Sequence, residues 1–328
     1  MKKTTVLALA ERRHFLKLLA SSAAAGSLAS CGGGGEAGTP GGNAGANPIA
    51  TPPPASVTPP PTTPPATTFN KSPKRGIAYD LASSADMAAL APGVSWWYNW
   101  GSAPDSRVPS DYAARYGMDY IPMLWNDDFD AARIEAAIMT SNARYLLLLN
   151  EPNLVDQANM SPARAAQLWP RYEAVAASTG VKLVGPAMTW GTLANYSDPV
   201  IWLDAFYAAY RAANGGRDPQ IDYLAFHWYD YGLSGQLDRL KKYGKPFWVT
   251  EMANWHSQND GAQIDTLPKQ MTQMTEMVAT CESRDDVFRY AWFIGRMSPD
   301  PHFTSLLGAN GQLTELGQLY ISLPYKTA

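Results

Sequence analysis

From about residue 71 onward, short apolar runs alternate with longer amphipathic stretches. Eight of the runs read as strands: RGIAYD from Arg75, VSWWYNW from Val94, DYIPMLW from Asp119, ARYLLLLNE from Ala143, KLVGPAM from Lys182, DYLAFHWYD from Asp222, PFWVTEM from Pro246 and FRYAWFIG from Phe288. Several are nearly continuous in apolar character, as strands buried on both faces are. Helical patterns separate them. The clearest opens with Ser161 as N-cap and Pro162 in the first turn and stops at Gly180. Pro170 inside it predicts a kink or a break. A second runs from Asp198 to about Asn214, with Trp202, Phe206 and Tyr210 on one face. Met271, Met274, Met277 and Val278 mark a third and read as core packing, and TELGQLYISL supplies the last. The first unit is the weakest, with only Ala82 to Leu90 able to form a short helix. Strand–helix alternation implies a parallel sheet. Eight such units in about 255 residues match a (β/α)8 TIM barrel, an α/β fold expected over residues 72–328.

The first 71 residues have a different pattern. Residues 1–31 read as an export signal, with a basic start, an apolar stretch from Phe15 to Leu28 and small residues before Cys31. The apolar stretch is short for a membrane span. Arg12-Arg13 followed by His14-Phe15-Leu16-Lys17 resembles a twin-arginine signal. Leu28-Ala29-Ser30-Cys31 resembles a lipobox, which makes Cys31 the expected lipidation site and membrane attachment the expected consequence. Residues 32–71, rich in Pro, Thr, Gly and Ala, cannot bury a core and read as a disordered, extended linker. The expected location is the bacterial cell envelope, lipid-anchored, or the extracellular space.

Composition narrows the function classes. The net charge is −3 and there is no basic block, so a nucleic-acid partner is not expected. The histidines His14, His227, His256 and His302 lack metal-ligand spacing, and no GxGxxG or P-loop pattern occurs, so neither a metal nor a nucleotide cofactor is expected. Cys31 and Cys281 cannot form a disulfide framework, and Cys281 reads as a buried, unreactive thiol. The 11 Trp and 17 Tyr exceed what a core needs, and their clustering at strand ends suits a cleft that binds sugar faces. No assembly motif is evident, which makes a monomer the default.

Two glutamates carry the candidate chemistry. Glu151 ends the fourth strand and Glu251 ends the seventh. Barrels do their chemistry at the C-terminal rim, and strands four and seven face each other across it. Paired carboxyls are the machinery of a glycoside hydrolase. Glu151 is expected as acid and later base, the negative neighbour favouring its protonated form. Glu251 is expected as nucleophile, in retaining chemistry. Trp97 and Asn99 share one face at the end of strand two, Asn126 follows strand three and Trp292 lies on strand eight. Asn99, Asn126 and Trp292 are the expected sugar contacts. Trp190, Trp228 and Trp255 are further stacking candidates, while Asp127, Asp128 and Asp230 read as solvated loop carboxylates.

Asn150-Glu151 and Glu251 resemble the catalytic positions of clan A glycoside hydrolases. RGIAYD, VSWWYNWGS, YIPMLWN, LLLNEPN, LAFHWYD and PFWVTEMAN together resemble glycoside hydrolase family 128, the glycosyl hydrolase catalytic core family, from about Arg75 to Tyr325. The resemblance implies endo-acting, retaining hydrolysis of β-1,3-glucan, with Glu151 as acid/base and Glu251 as nucleophile. It also implies that Asn150 bonds the sugar 2-hydroxyl, and that His227 and Tyr229 support the site, the tyrosine near the nucleophile. Two alternatives stay open at this level: a non-catalytic surface glucan-binding lipoprotein, and a clan A hydrolase of a β-1,4-linked polysaccharide.

Overall fold

The structure, a computed structural model, describes residues 70–326. The twin-arginine segment, Cys31 and almost all of the Pro/Thr linker lie outside the described residues. The strands are β1 (Arg75–Ala78), β2 (Trp96–Tyr98), β3 in two pieces (Asp119–Tyr120 and Met123–Leu124), β4 (Tyr145–Leu148), β5 (Lys182–Met188), β6 (Tyr223–Trp228), β7 (Phe247–Met252) and β8 (Val287–Trp292). A helix follows each in turn: α1 (Ser84–Leu90), α2 (Tyr112–Tyr116), α3 (Ala131–Ser141), α4 (Pro162–Thr179), α5 (Pro199–Ala213), α6 (Leu233–Leu240), α7 (Leu267–Ser283) and α8 (Glu315–Ser322).

All the strand pairs are parallel, and β1 pairs with both β2 and β8. The third strand breaks at Pro122, which has no N–H to give to a ladder. The ladder nevertheless crosses the break. Ile121 N–H donates to Trp97 O at 3.0 Å, and Leu147 N–H donates to Pro122 O at 2.9 Å. The sheet therefore curls back on itself as the expected eight-stranded barrel.

The helix signals act as the sequence implies. Ser161 Oγ accepts from Arg164 N–H, Pro162 stands in the first turn and Gly180 ends α4 at φ +78°. The expected break at Pro170 does not occur: α4 runs through it. Buried Trp169 and Tyr172 flank it, Trp169 packing edge-on against Phe206 of α5 at 5.0 Å, so tertiary contacts hold the turn that proline weakens. Trp202, Phe206 and Tyr210 are fully buried, as are Met274 and Val278. Cys281 is buried too, and burial pushes its thiol far above the usual range.

The barrel floor is an aromatic cage around one cation. Arg289 of β8 points inward, its guanidinium 5.1 to 5.8 Å from the rings of Trp96, Tyr145 and Trp248, and pairs with Asp119 at 3.2 Å. Both ends of the described chain meet at this floor. Lys71 Nζ donates to the carbonyls of Ala91, Val94 and Tyr116, so Lys71 is already part of the barrel. Asn70 accepts a hydrogen bond from Tyr325 OH. The catalytic mouth lies at the other end.

Candidate active site

Glu151 sits one residue past the last bridge of β4. Asn150 still pairs with Ala187, and Glu151 N–H donates to Ala187 O at 2.9 Å. Glu151 has φ +46°, the left-handed region that few residues with a side chain adopt. The loop that holds it there is tightly bonded. Asn150 Nδ2 donates to Gln157 Oε1 at 3.0 Å, and Asn153 Nδ2 donates to Thr189 O and Ser197 O. Thr192 and Leu193 N–H donate back to Asn153 O. A Cβ on Gly191 would fall 1.8 Å from Asn153 O, so only glycine lets these two loops touch.

Glu251 is on β7 itself and is fully buried, as is Glu151. Three donors converge on it. Tyr98 OH and Trp100 Nε1–H donate to Oε1 at 3.1 and 2.9 Å, and Tyr229 OH donates to Oε2. Such donors favour the charged form of a carboxylate over the neutral one. His227 stands between the two glutamates. Its Nδ1 is 2.8 Å from Glu151 Oε1 and 3.4 Å from Glu251 Oε2, and its Nε2 is 2.8 Å from Thr250 Oγ1. One oxygen of each glutamate and one ring nitrogen lie within 4.8 Å of one another. Behind Tyr229, Trp255 and Phe293 pack at 4.9 and 5.6 Å.

A strand irregularity aims these groups. Phe226 pairs with Val249, but the next residue, His227, pairs with Glu251. On the other side, Val249 to Met252 of β7 spans only Tyr290 to Trp292 of β8. Thus β7 carries one extra residue, and Thr250 and Glu251 both turn into the barrel instead of alternating.

The trio of Glu151, His227 and Glu251 could converge on a cation, but the donor set does not suit one. Two hydroxyls and an indole N–H already point at Glu251, and these donors would face the metal's positive charge.

The sequence-expected residues divide into three groups. His227 and Tyr229 reach the glutamates. Asn150 is fully buried beside Glu151, and its side-chain oxygen meets no donor among the described residues. Asn99 bonds locally, with Nδ2 donating to Asp80 and Ala103 O while Oδ1 accepts from Gly101 N–H and Tyr120 OH. Asn126 closes a turn onto Asp128 N–H. Trp292 is a correction. It is fully buried, its Nε1–H donates to Thr304 O, and its ring packs on Tyr320 of α8. It faces the helix layer, and its neighbour Phe293 turns toward the site. Trp97 likewise faces outward, edge-on to Tyr112 of α2 at 4.9 Å. Trp255 is buried, Trp228 is buried with its N–H on Tyr231 O, and Trp190 is partly exposed under the Arg239 guanidinium. Asp127 pairs with Arg164, Asp230 bonds His256, and Asp128 is exposed. Sequence reading missed Tyr98, Trp100, Thr250 and Phe293. The first two share the face opposite Trp97 and Asn99, and the strand's phase was the signal that could have found them.

A closed parallel barrel with two glutamates this close at its C-terminal rim, one accepting hydrogen bonds from three donors, is a glycoside hydrolase. Comparison with known proteins agrees. The profile of the glycosyl hydrolase catalytic core family matches residues 76–320, and the chain belongs to that family. It is 65% identical to a GH128 (subgroup II) endo-β-1,3-glucanase from Pseudomonas viridiflava, with 78% of this chain and 100% of that one covered and a TM-score of 0.78. A GH128 (subgroup I) endo-β-1,3-glucanase from Amycolatopsis mediterranei, solved with laminaritriose, is 27% identical, with 76% and 99% covered and a TM-score of 0.60. Alkali-sensitive linkage protein 1 of Schizosaccharomyces pombe is 28% identical over 269 residues. Those residues are 76% of this chain, which spans 45% of that protein's length.

Proposed function

We propose that this chain is an endo-acting, retaining hydrolase of β-1,3-glucan, with Glu151 as acid/base and Glu251 as nucleophile. The carrying observation is the geometry of the pair. One oxygen of each glutamate lies within 4.8 Å of the other, a close approach that suits the roughly 5–5.5 Å carboxyl separation of retaining enzymes better than the wider gap of inverting ones. Glu251 attacks the anomeric carbon while Glu151 gives its proton to the departing glycosidic oxygen. The glycosyl ester on Glu251 then meets a water that Glu151 deprotonates, which restores both groups. Tyr98, Trp100 and Tyr229 donate to the nucleophile and hold it in place. Asn150, beside Glu151, is the candidate partner of the 2-hydroxyl. The β-1,3 linkage and the endo action rest on the likeness to endo-β-1,3-glucanases at 65% identity.

The test is product analysis on linear β-1,3-glucan with the full chain. Wild type should release short oligosaccharides, and Glu251→Ala should release none. Products from a β-1,4-glucan but not from the β-1,3 polymer would refute the linkage, and turnover by Glu251→Ala would refute the nucleophile. The second part of the reading concerns location. The Arg12-Arg13 signal, the Leu28-to-Cys31 lipobox and the Pro/Thr linker support an exported enzyme tethered at the cell envelope through a lipidated Cys31.

A further inference from the structure

We infer that Thr250 is a positioning residue for the acid/base: its hydroxyl donates to His227 Nε2 and so keeps the ring's proton on Nδ1, aimed at Glu151. The inference rests on the proposed role of Glu151. The placement of Thr250 carries it first. Thr250 keeps the inward phase of Trp248 two residues before it, and the extra residue brings Glu251 in beside it. Thr250 Oγ1 therefore stands inside the barrel, 2.8 Å from His227 Nε2, both side chains being buried.

The groups around the ring then decide the tautomer. Nδ1 faces an oxygen of Glu151 at 2.8 Å and an oxygen of Glu251 at 3.4 Å. A lone pair there would oppose two acceptors, so the proton belongs on Nδ1. Other titratable groups nearby belong to Tyr229 of β6 and Tyr98 of β2, and both hydroxyls donate to Glu251. Neither competes for the ring in those bonds. Nε2 points the other way, and a hydroxyl is suited to it because it can give a proton to the bare nitrogen of a neutral ring. The ring then donates to Glu151 Oε1, which leaves Oε2 as the oxygen that carries and delivers the catalytic proton.

Histidine tautomer is read directly by long-range proton–nitrogen NMR of the full chain labelled with 15N-histidine. The His227 signals are assigned by their loss in His227→Gln. We expect one protonated ring nitrogen, Nδ1, in wild type and in Thr250→Ser, and loss of that single signature in Thr250→Val. We also expect Thr250→Val to lower kcat about tenfold with KM little changed, and Thr250→Ser to restore it. His227 protonated on Nε2 in wild type would overturn the inference. So would a folded Thr250→Val that keeps the wild-type signature and kcat, or a Thr250→Ser as impaired as the valine variant. The NMR reading needs no turnover, so it separates failure of this inference from failure of the assignment of Glu151.

Discussion

At the scale of single residues, function here depends on which way a side chain leaves its strand. Trp292 and Phe293 are neighbours, yet one packs on the outer helix and the other lines the site. Tyr98 and Trp100 hold Glu251, while their alternating neighbours Trp97 and Asn99 do not. This gives a paired expectation. Trp100→Phe keeps an aromatic ring but removes the N–H that Glu251 accepts at 2.9 Å. It should lower kcat/KM about tenfold at unchanged thermal stability. Trp292→Phe should do the reverse, lowering the melting temperature while sparing kcat/KM. Steady-state kinetics and thermal melts of both variants check this, and equal catalytic losses would refute the division. The glutamates stood out because each ends an apolar strand run, whereas the roles of His227 and Tyr229 came from the family resemblance. Tyr98 and Trp100 were not legible, because the phase of an all-aromatic strand cannot be read from period-two alternation when both faces are apolar.

At the scale of elements, helices announced themselves and irregular strands did not. Ser161, Pro162 and Gly180 are local chemical signals, each acting on its own few residues. The extra residue in β7 is a relation between three strands, and nothing within PFWVTEM marks it. The pair α4 and α5 shows how elements lock. Glu173 of α4 accepts from Tyr210 OH of α5, from Arg217 and from Gln220 N–H. Burial alone would disfavour its charge, but these donors outweigh burial and hold the carboxyl below the usual glutamate range. A lowered carboxyl contributes stability above its unfolded-state value, about 4.5, and loses that contribution as pH falls through the lower folded value. Glu173→Gln should therefore be less stable than wild type at neutral pH and lose less stability on acidification. Urea midpoints near about pH 7 and about pH 3.5 measure both. Equal losses in the two proteins would mean that the clip adds nothing.

At the scale of the whole molecule, the eight-unit count was legible because each unit repeats the same alternation. The closed floor was not, since the cage around Arg289 gathers residues from four other strands that no local window contains. Among the described residues no helix is long and apolar enough to cross a membrane. On the proposed tether, attachment depends on residue 31. Cys31→Ser should move the protein from the membrane pellet to the soluble fraction without detergent, with its specific activity kept. A wild-type protein found soluble with an unmodified Cys31 would refute the tether. The chain enters the barrel at Asn70, beside Tyr325 and on the side away from the glutamates. Whatever support holds residue 70, whether a lipid leaflet, a resin bead or a fused partner, stands behind the catalyst. The catalytic rim then faces away from that support, so a long polymer can reach it without having to squeeze between enzyme and wall.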